Sequence, residues 1–138
     1  MDAANLTAAR DKVARSGLRP TRQRVELASV LFAKGCRHLT AEGLHAEAAQ
    51  AGVRVSLATV YNTLNAFIAA GLVQQVAVDG ARVYFDTNVD PHHHFFYENT
   101  GELADIPADQ ITVGTLPDAP DGSVISRVDV VVRVRQAG

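Results

Sequence analysis

Ser56-Leu57-Ala58-Thr59-Val60-Tyr61-Asn62-Thr63-Leu64-Asn65-Ala66-Phe67-Ile68-Ala69-Ala70-Gly71 reads as one amphipathic helix, and the segments on either side of it decide the fold. At helical spacing Leu57, Val60, Leu64, Phe67 and Ile68 share a stripe, while Ala58, Thr59, Asn62, Asn65 and Ala66 fall outside it and Tyr61 lies at its rim. Ser56 supplies a capping hydroxyl at its start and Gly71 ends it. Downstream, Leu72-Val73-Gln74-Gln75-Val76-Ala77-Val78 and Ala81-Arg82-Val83-Tyr84-Phe85 flank Asp79-Gly80, a short-range hairpin signal. Upstream, Thr40 caps a helix predicted over Ala41–Gln50, with Leu44 and Ala48 inward and Gly52 as its stop. Helix, short turn, helix and hairpin make a winged helix. The small and polar outer residues of the last helix allow close approach to base edges in a DNA major groove, thymine methyls included. The plainer alternative is a surface helix without a partner.

Further towards the N-terminus, residues 6–15 form a helix ended by Ser16-Gly17, and a second helix starts near Pro20-Thr21, where proline is tolerated in the first turn. Val25, Ala28, Leu31 and Phe32 form the core stripe of that second helix, Arg22, Gln23, Arg24 and Glu26 take its other faces, and Gly35 stops it. Cut near Arg82, the chain is asymmetric: residues 1–82 carry +4 and residues 83–138 carry −6, within a net charge of −2. A polyanion such as DNA therefore suits the first part and not the second.

Asp86-Thr87-Asn88-Val89-Asp90-Pro91 is polar and turn-rich and sits at the charge reversal, so the boundary is placed there: residues 1–86 as the winged-helix domain, 87–91 as a hinge and 92–138 as a second domain. The second domain opens with His92-His93-His94-Phe95-Phe96-Tyr97, which holds three of the five histidines. A strand entered from a proline turn puts His92 and His94 on one face and His93 on the other. Neutral imidazole is the commonest ligand for borderline transition metals, and the plainer alternative is a polar turn facing solvent. A turn at Asn99-Thr100-Gly101 and a strand over 102–106 complete a hairpin. Pro117, Pro120 and Gly122 mark a long loop, and residues 123–135 alternate as one amphipathic strand. Three strands and at most a short helix make a thin core for about 50 residues, so pairing with a second copy would cover exposed edges.

With 47% hydrophobic and 20% charged residues and no apolar run long enough to span a bilayer, the composition describes a globular protein and excludes a membrane one. The start Met1-Asp2-Ala3-Ala4-Asn5 lacks a secretory pattern, so a cytoplasmic location is expected. A lone cysteine, Cys36, excludes an internal disulfide and a four-cysteine zinc site.

Three strings, Gly17-Leu18-Arg19-Pro20-Thr21-Arg22-Gln23-Arg24, His38-Leu39-Thr40-Ala41-Glu42 and Val55-Ser56-Leu57-Ala58-Thr59-Val60-Tyr61-Asn62-Thr63-Leu64, together with Gly71-Leu72-Val73 and the histidine cluster in the same order, closely resemble the ferric uptake regulator (Fur) family. The resemblance implies an α+β fold: an N-terminal winged helix-turn-helix domain followed by a small α/β dimerisation domain. It also implies a homodimeric repressor or activator of a double-stranded, palindromic DNA operator. Carried over by position, it implies a regulatory metal site at His38, Asp86, His92, His94 and Asp105. Nitrogen and carboxylate ligands without thiolate suit Fe(II), Mn(II) or Zn(II) and do not choose among them. The DNA contacts so implied are Lys12, Arg15, Arg19 and Arg22 on phosphates or the minor groove, with Ser56, Thr59, Tyr61 and Asn62 facing the major groove. The family often has Arg where Asn62 stands, and Asn pairs bidentately with adenine whereas Arg favours guanine.

The departures point within the family. Where most members carry a Cys-x-x-Cys for structural zinc, this chain reads Tyr97-Glu98-Asn99-Thr100-Gly101, and the late cysteine pair is missing as well. A third family site finds Pro91, His93 and no late histidine. The retained triplet followed by Glu102-Leu103-Ala104-Asp105-Ile106-Pro107, and the closing Pro117-Asp118-Ala119-Pro120-Asp121-Gly122, resemble the haem-responsive iron response regulator (Irr) branch, which implies iron or haem homeostasis and haem at His92, His93 and His94. Cys36 precedes Arg37 rather than proline and is read as an inert thiol, and His45 as a surface or packing residue. The rivals are a peroxide-sensing or metal-uptake repressor using Fe(II) or Mn(II) at the same ligands, a small metalloenzyme, and a metal-storing scaffold. No general base in a cleft supports an enzyme, and a scaffold leaves the winged helix unexplained.

Overall fold

The computed structural model describes residues 2–79 and 82–137 and divides the chain into two compact units, Met1–Val89 and Asp90–Gly138. The first unit contains α1 (Ala3–Arg15), α2 (Arg22–Phe32), β1 (His38–Leu39), α3 (Ala41–Gln50), α4 (Leu57–Ala69), β2 (Gln74–Asp79) and β3 (Arg82–Asp86). The second contains β4 (His92–Tyr97), β5 (Leu103–Pro107), a single 3-10 turn at Ala108–Gln110 and β6 (Val131–Val134).

Each helix of the first unit starts on a side-chain cap. Asp2 accepts from Ala4 N–H at 2.9 Å, Thr21 from Arg24 N–H at 3.3 Å, Thr40 from Gly43 N–H at 3.0 Å and Ser56 from Thr59 N–H at 3.1 Å. These oxygens satisfy amide groups that the first turn of a helix leaves without an intrahelical acceptor. Two expected boundaries shift as a result. The Asp2 cap extends α1 three residues before Leu6, and because Thr21 is the cap of α2, Pro20 precedes that helix instead of lying in its first turn. Helix α2 ends at Phe32, and Gly35 turns the chain at φ +70° in the loop beyond. Helix α3 spans the expected residues, and Gly52 follows it at φ +82°, a conformation that favours glycine.

The apolar stripes converge on one core. Val25, Leu27, Ala28 and Leu31 of α2, Leu44 and Ala48 of α3 and Val60, Leu64 and Phe67 of α4 are buried together, with Val13 of α1, Leu39 of β1 and Phe85 of β3. Thr63 is also buried, so the inward face of α4 is one residue wider than its apolar stripe. Strands β2 and β3 pair antiparallel from Gln74↔Asp86 to Asp79↔Arg82; of the Asp79-Gly80 turn, Gly80 and its neighbour Ala81 lie outside the described residues. A further strand, β1, is too short to show any periodicity; it pairs with β3 at His38↔Asp86 and Leu39↔Phe85, giving the sheet order β1-β3-β2. Helices α2 to α4 and this wing are the expected winged helix.

The sheet of the second unit runs β5-β4-β6, with β4 antiparallel to β5 and parallel to β6. The strand expected over 123–135 is corrected: only Val131–Val134 pairs, in register from His94↔Val131 to Tyr97↔Val134. Alternation marks which side chains could share a face, but a strand exists only where a neighbour completes its hydrogen bonds. Just ahead of β6 the Val130 N–H donates to the Nδ1 of the His93 ring at 3.1 Å, so a side chain takes the bond that would have extended the ladder. Among the described residues, no helix is long and apolar enough to cross a membrane.

Candidate metal centre and nucleic-acid interface

In the second unit β4 delivers the candidate ligands by alternation. His92 and His94 share one face, with ring centroids 4.5 Å apart in an edge-on arrangement, and Asp105 faces His94 across the β4–β5 ladder. The Asp105 Oδ1 lies 3.4 Å from His92 Nε2 and 3.6 Å from His94 Nε2. The Nδ1 of His92 is 2.6 Å from the carbonyl oxygen of Asp90. A ring N–H donated to that carbonyl leaves Nε2 as the nitrogen that faces a metal when the ring is neutral. Two imidazole nitrogens and a carboxylate oxygen within 4.8 Å of one another therefore suit a divalent transition metal chemically.

His93 points the other way, and its Nδ1 accepts the Val130 N–H. On its face, Phe95, Tyr97, Asn99, Val134, Arg135 and Gln136 line a cavity of about 440 Å³. The structure gives His93 a contact with the backbone just before β6, 37 residues away, which no local pattern signals.

The first unit carries a second pair. The register of β1 on β3 sets His38 opposite Asp86, with His38 Nε2 3.4 Å from Asp86 Oδ2. The other Asp86 oxygen accepts from Asn88 N–H at 2.9 Å, which orients the carboxylate and leaves Oδ2 towards the imidazole.

On the prospective DNA side, α4 presents Ala58, Tyr61, Asn62 and Asn65 outward. Ser56 and Thr59 are engaged with each other: Ser56 Oγ caps the helix and its hydroxyl donates to Thr59 Oγ1 at 3.0 Å. The expected cationic contacts lie on α1 (Lys12, Arg15), in the loop after it (Arg19) and at the start of α2 (Arg22). The Lys12 ammonium sits 4.4 Å from the centroid of the Phe32 ring, and Arg15 Nε donates to the Asp11 carbonyl at 3.3 Å. Arg22 pairs with Glu26 at 2.7 Å with its side chain 90% exposed, which makes this bond cheap to exchange for a phosphate. The Arg19 carbonyl accepts from Arg24 Nη1 at 3.1 Å. The cleft beside the outer face of α4 is lined by Thr21, Gln23 and Arg24 together with Thr59, Asn62 and Thr63, so Gln23 and Arg24 join α4 there while Lys12, Arg15 and Arg22 line clefts elsewhere.

Two α3 side chains hold α4, of which His45 is the packing residue the sequence suggested and Glu42 carried no local signal. His45 Nε2 is 3.0 Å from the carbonyl oxygen of Val55, one residue before the α4 cap, and the Tyr61 hydroxyl donates to Glu42 Oε1 at 2.8 Å. Chiefly through that bond, with help from the Glu42 backbone and against its slight burial, the Glu42 carboxyl is held below its ordinary value. The same carboxylate pushes the Tyr61 phenol up. Arg37 similarly pairs with Glu47 of α3, lowering that carboxyl against the opposing effect of burial.

Known proteins resemble this chain in sequence and in fold. The Ferric uptake regulator family matches residues 15–116. A ferric uptake regulation protein of Vibrio parahaemolyticus is 33% identical over 97 residues, 70% of this chain and 65% of that protein. One from Pseudomonas aeruginosa is 38% identical over 90 residues, 64% of this chain and 67% of that one. The chain thus spans just under two thirds of the Vibrio relative. Among solved structures, a ferric uptake regulator from Pseudomonas aeruginosa with manganese superposes with TM-score 0.69 at 26% identity, over 93% of this chain and 97% of that one. The Vibrio cholerae ferric uptake regulator superposes with TM-score 0.69 at 21% identity, over 91% and 98%, a likeness of fold.

Proposed function

Since the chain belongs to the ferric uptake regulator family, we propose that it is a cytoplasmic, homodimeric transcriptional regulator that binds a double-stranded DNA operator under the control of a divalent transition metal and serves iron or haem homeostasis. The observation that carries the reading is α4: its inner face is locked in the core while Tyr61 and Asn62 stand outward beside a wing, in a unit that holds most of the chain's cations. Residues 1–86 read the operator, 87–91 form the hinge and 92–138 pair with a second copy. Lys12, Arg15, Arg19 and Arg22 take phosphates or the minor groove, and Ser56, Thr59, Tyr61 and Asn62 face the major groove.

The proposed ligand set is His38 and Asp86 of the first unit with His92, His94 and Asp105 of the second. Ligand chemistry supports it, as does the pairing of candidate donors within each unit. A bound Fe(II), Mn(II) or Zn(II) would supply a divalent charge that offsets the carboxylates. His92 holds its lone pair ready through the Asp90 carbonyl, and Asp86 is oriented by Asn88. The Pseudomonas aeruginosa relative solved with manganese is in keeping with this choice.

A second reading places haem at His92, His93 and His94, as in the iron response regulator branch. It is favoured by the third histidine, which stands on the opposite face of β4 from His92 and His94. Two titrations of the full chain, with haem followed by visible absorption and with Mn(II) followed by gel shift on a duplex selected from a random pool, separate the readings. A Soret shift lost in His93→Ala supports haem, whereas a Mn(II)-dependent shift lost in His94→Ala supports the metal. A chain that enriches no duplex sinks the regulatory reading, and one that responds to neither ligand sinks the proposed control. Oxidised histidine after peroxide treatment of the Fe(II) form, found by mass spectrometry, would identify the peroxide-sensing alternative.

A further inference from the structure

Glu42 belongs to α3, not to the helix proposed to read the operator, yet its carboxylate receives the hydroxyl proton of Tyr61, 19 residues away, at 2.8 Å. Both side chains are exposed, with Tyr61 at 38%. A phenol has one proton, and an ionised carboxylate can only accept. Once that proton is directed at Glu42, the outward oxygen of Tyr61 offers lone pairs alone, and the carboxylate beside it can likewise only accept.

In a major groove such a surface can take the amino hydrogens of adenine N6 or cytosine N4 and is repelled by the acceptors of guanine and by thymine O4. A tyrosine without this partner can turn its hydroxyl to donate, and so meets either class of base. The bond is also robust around neutral pH, since Glu42 is held below the usual carboxylate range and Tyr61 above the usual phenol value. Helix α3 fixes the frame in which this occurs, because His45 anchors the Val55 carbonyl directly ahead of the α4 cap.

We infer that Glu42 is a specificity-determining residue: by taking the Tyr61 proton it makes the exposed face of α4 accept rather than donate hydrogen bonds at one base pair of the operator. This rests on the DNA-binding reading of α4 proposed above. A merely structural Glu42, tying α3 to α4, would weaken binding to every sequence alike, whereas a specificity residue changes the ranking of bases at one position.

The test uses the full chain with Mn(II). A duplex is selected from a random pool, and its single-base variants are titrated by gel shift against the wild type, Glu42→Ala, Glu42→Gln, Tyr61→Phe and the double variant Glu42→Ala/Tyr61→Phe, with thermal melting to confirm folding. The wild type is expected to favour an amino-bearing base by about tenfold at one position. Glu42→Ala should lose most of that preference and Glu42→Gln part of it, while Glu42→Ala should change nothing further at that position in the Tyr61→Phe background, the signature of a coupled pair. A uniform loss across all variants, an unaltered ranking, or an equal effect with and without the Tyr61 hydroxyl overturns the inference alone. A wild type that enriches no sequence overturns the DNA-binding reading and the inference with it.

Discussion

The first unit buries Leu27, Leu31, Leu44, Leu64 and Phe67 in one continuous cluster and starts each of its helices on a side-chain cap, while the second buries Phe96 and Ile106 alongside three histidines and leaves Val113, Leu116, Val124 and Ile125 exposed. One is held by apolar area, which is insensitive to what the protein meets. The other gives scarce interior space to groups that water would solvate well, an arrangement that costs free energy unless a partner answers them. This division is in keeping with the roles proposed above, an operator-reading unit that keeps its shape and a second unit whose buried histidines a cation would answer.

The contrast can be attacked from either side. The largest effect should come from Phe67→Ala, which empties the centre of the first unit and should cost about 3–5 kcal/mol in urea unfolding followed by helical circular dichroism. Next, Mn(II) at about 100 times its dissociation constant should stabilise the chain by about 2.7 kcal/mol through mass action, read as a rise in melting temperature. His92→Ala/His94→Ala should abolish that rise; if the double variant responds as the wild type does, the second unit is not where the cation acts. Thr40→Ala removes the cap of α3 and should cost about 1 kcal/mol, an effect confined to the first unit and independent of metal.

The smallest effect is a titration. Glu42 has a lowered folded-state pKa, so its contribution is present above its unfolded value and is lost as pH falls through the folded one. Tyr61 is raised, so its contribution is full below the ordinary phenol value of 10.0 and disappears as pH rises through the folded one. Spectrophotometric titration, with Tyr61→Phe as the difference standard, should show the Tyr61 phenol ionising at higher pH in the wild type than in Glu42→Ala. Coincident curves would mean the two side chains do not communicate in solution.

Helices α3 and α4 were legible because their signals are local: Thr40 and Ser56 start them, Gly52 and Gly71 follow them, and a single stripe faces the core. The wing strands were legible for the same reason. Strand β1 was not, since two residues have no period and its partner lies far along the chain. Residues 123–130 were over-read as strand because alternation reports a possible face and not a neighbour. At the candidate site, strand alternation was enough to bring His92 and His94 together, with ring centroids 4.5 Å apart. The bonds from Tyr61 to Glu42 and from Val130 to His93 could not be read, because each is a tertiary meeting that either sequence neighbourhood permits without requiring.

The short strand β1 also has a kinetic meaning. Arg37 N–H donates to Thr87 Oγ1 at 2.9 Å across 50 positions of chain, and Thr87 N–H returns a bond to the Arg37 carbonyl at 3.0 Å. Closing so long a loop costs entropy before the contact repays it, so this seam should be the last part of the first unit to zip and the first to breathe. Its amides are expected to exchange with deuterium ahead of those in the helices. His38 and Asp86 are cross-strand partners in that seam, so their juxtaposition lasts only while it is shut, and a bound cation would register there as slowed exchange.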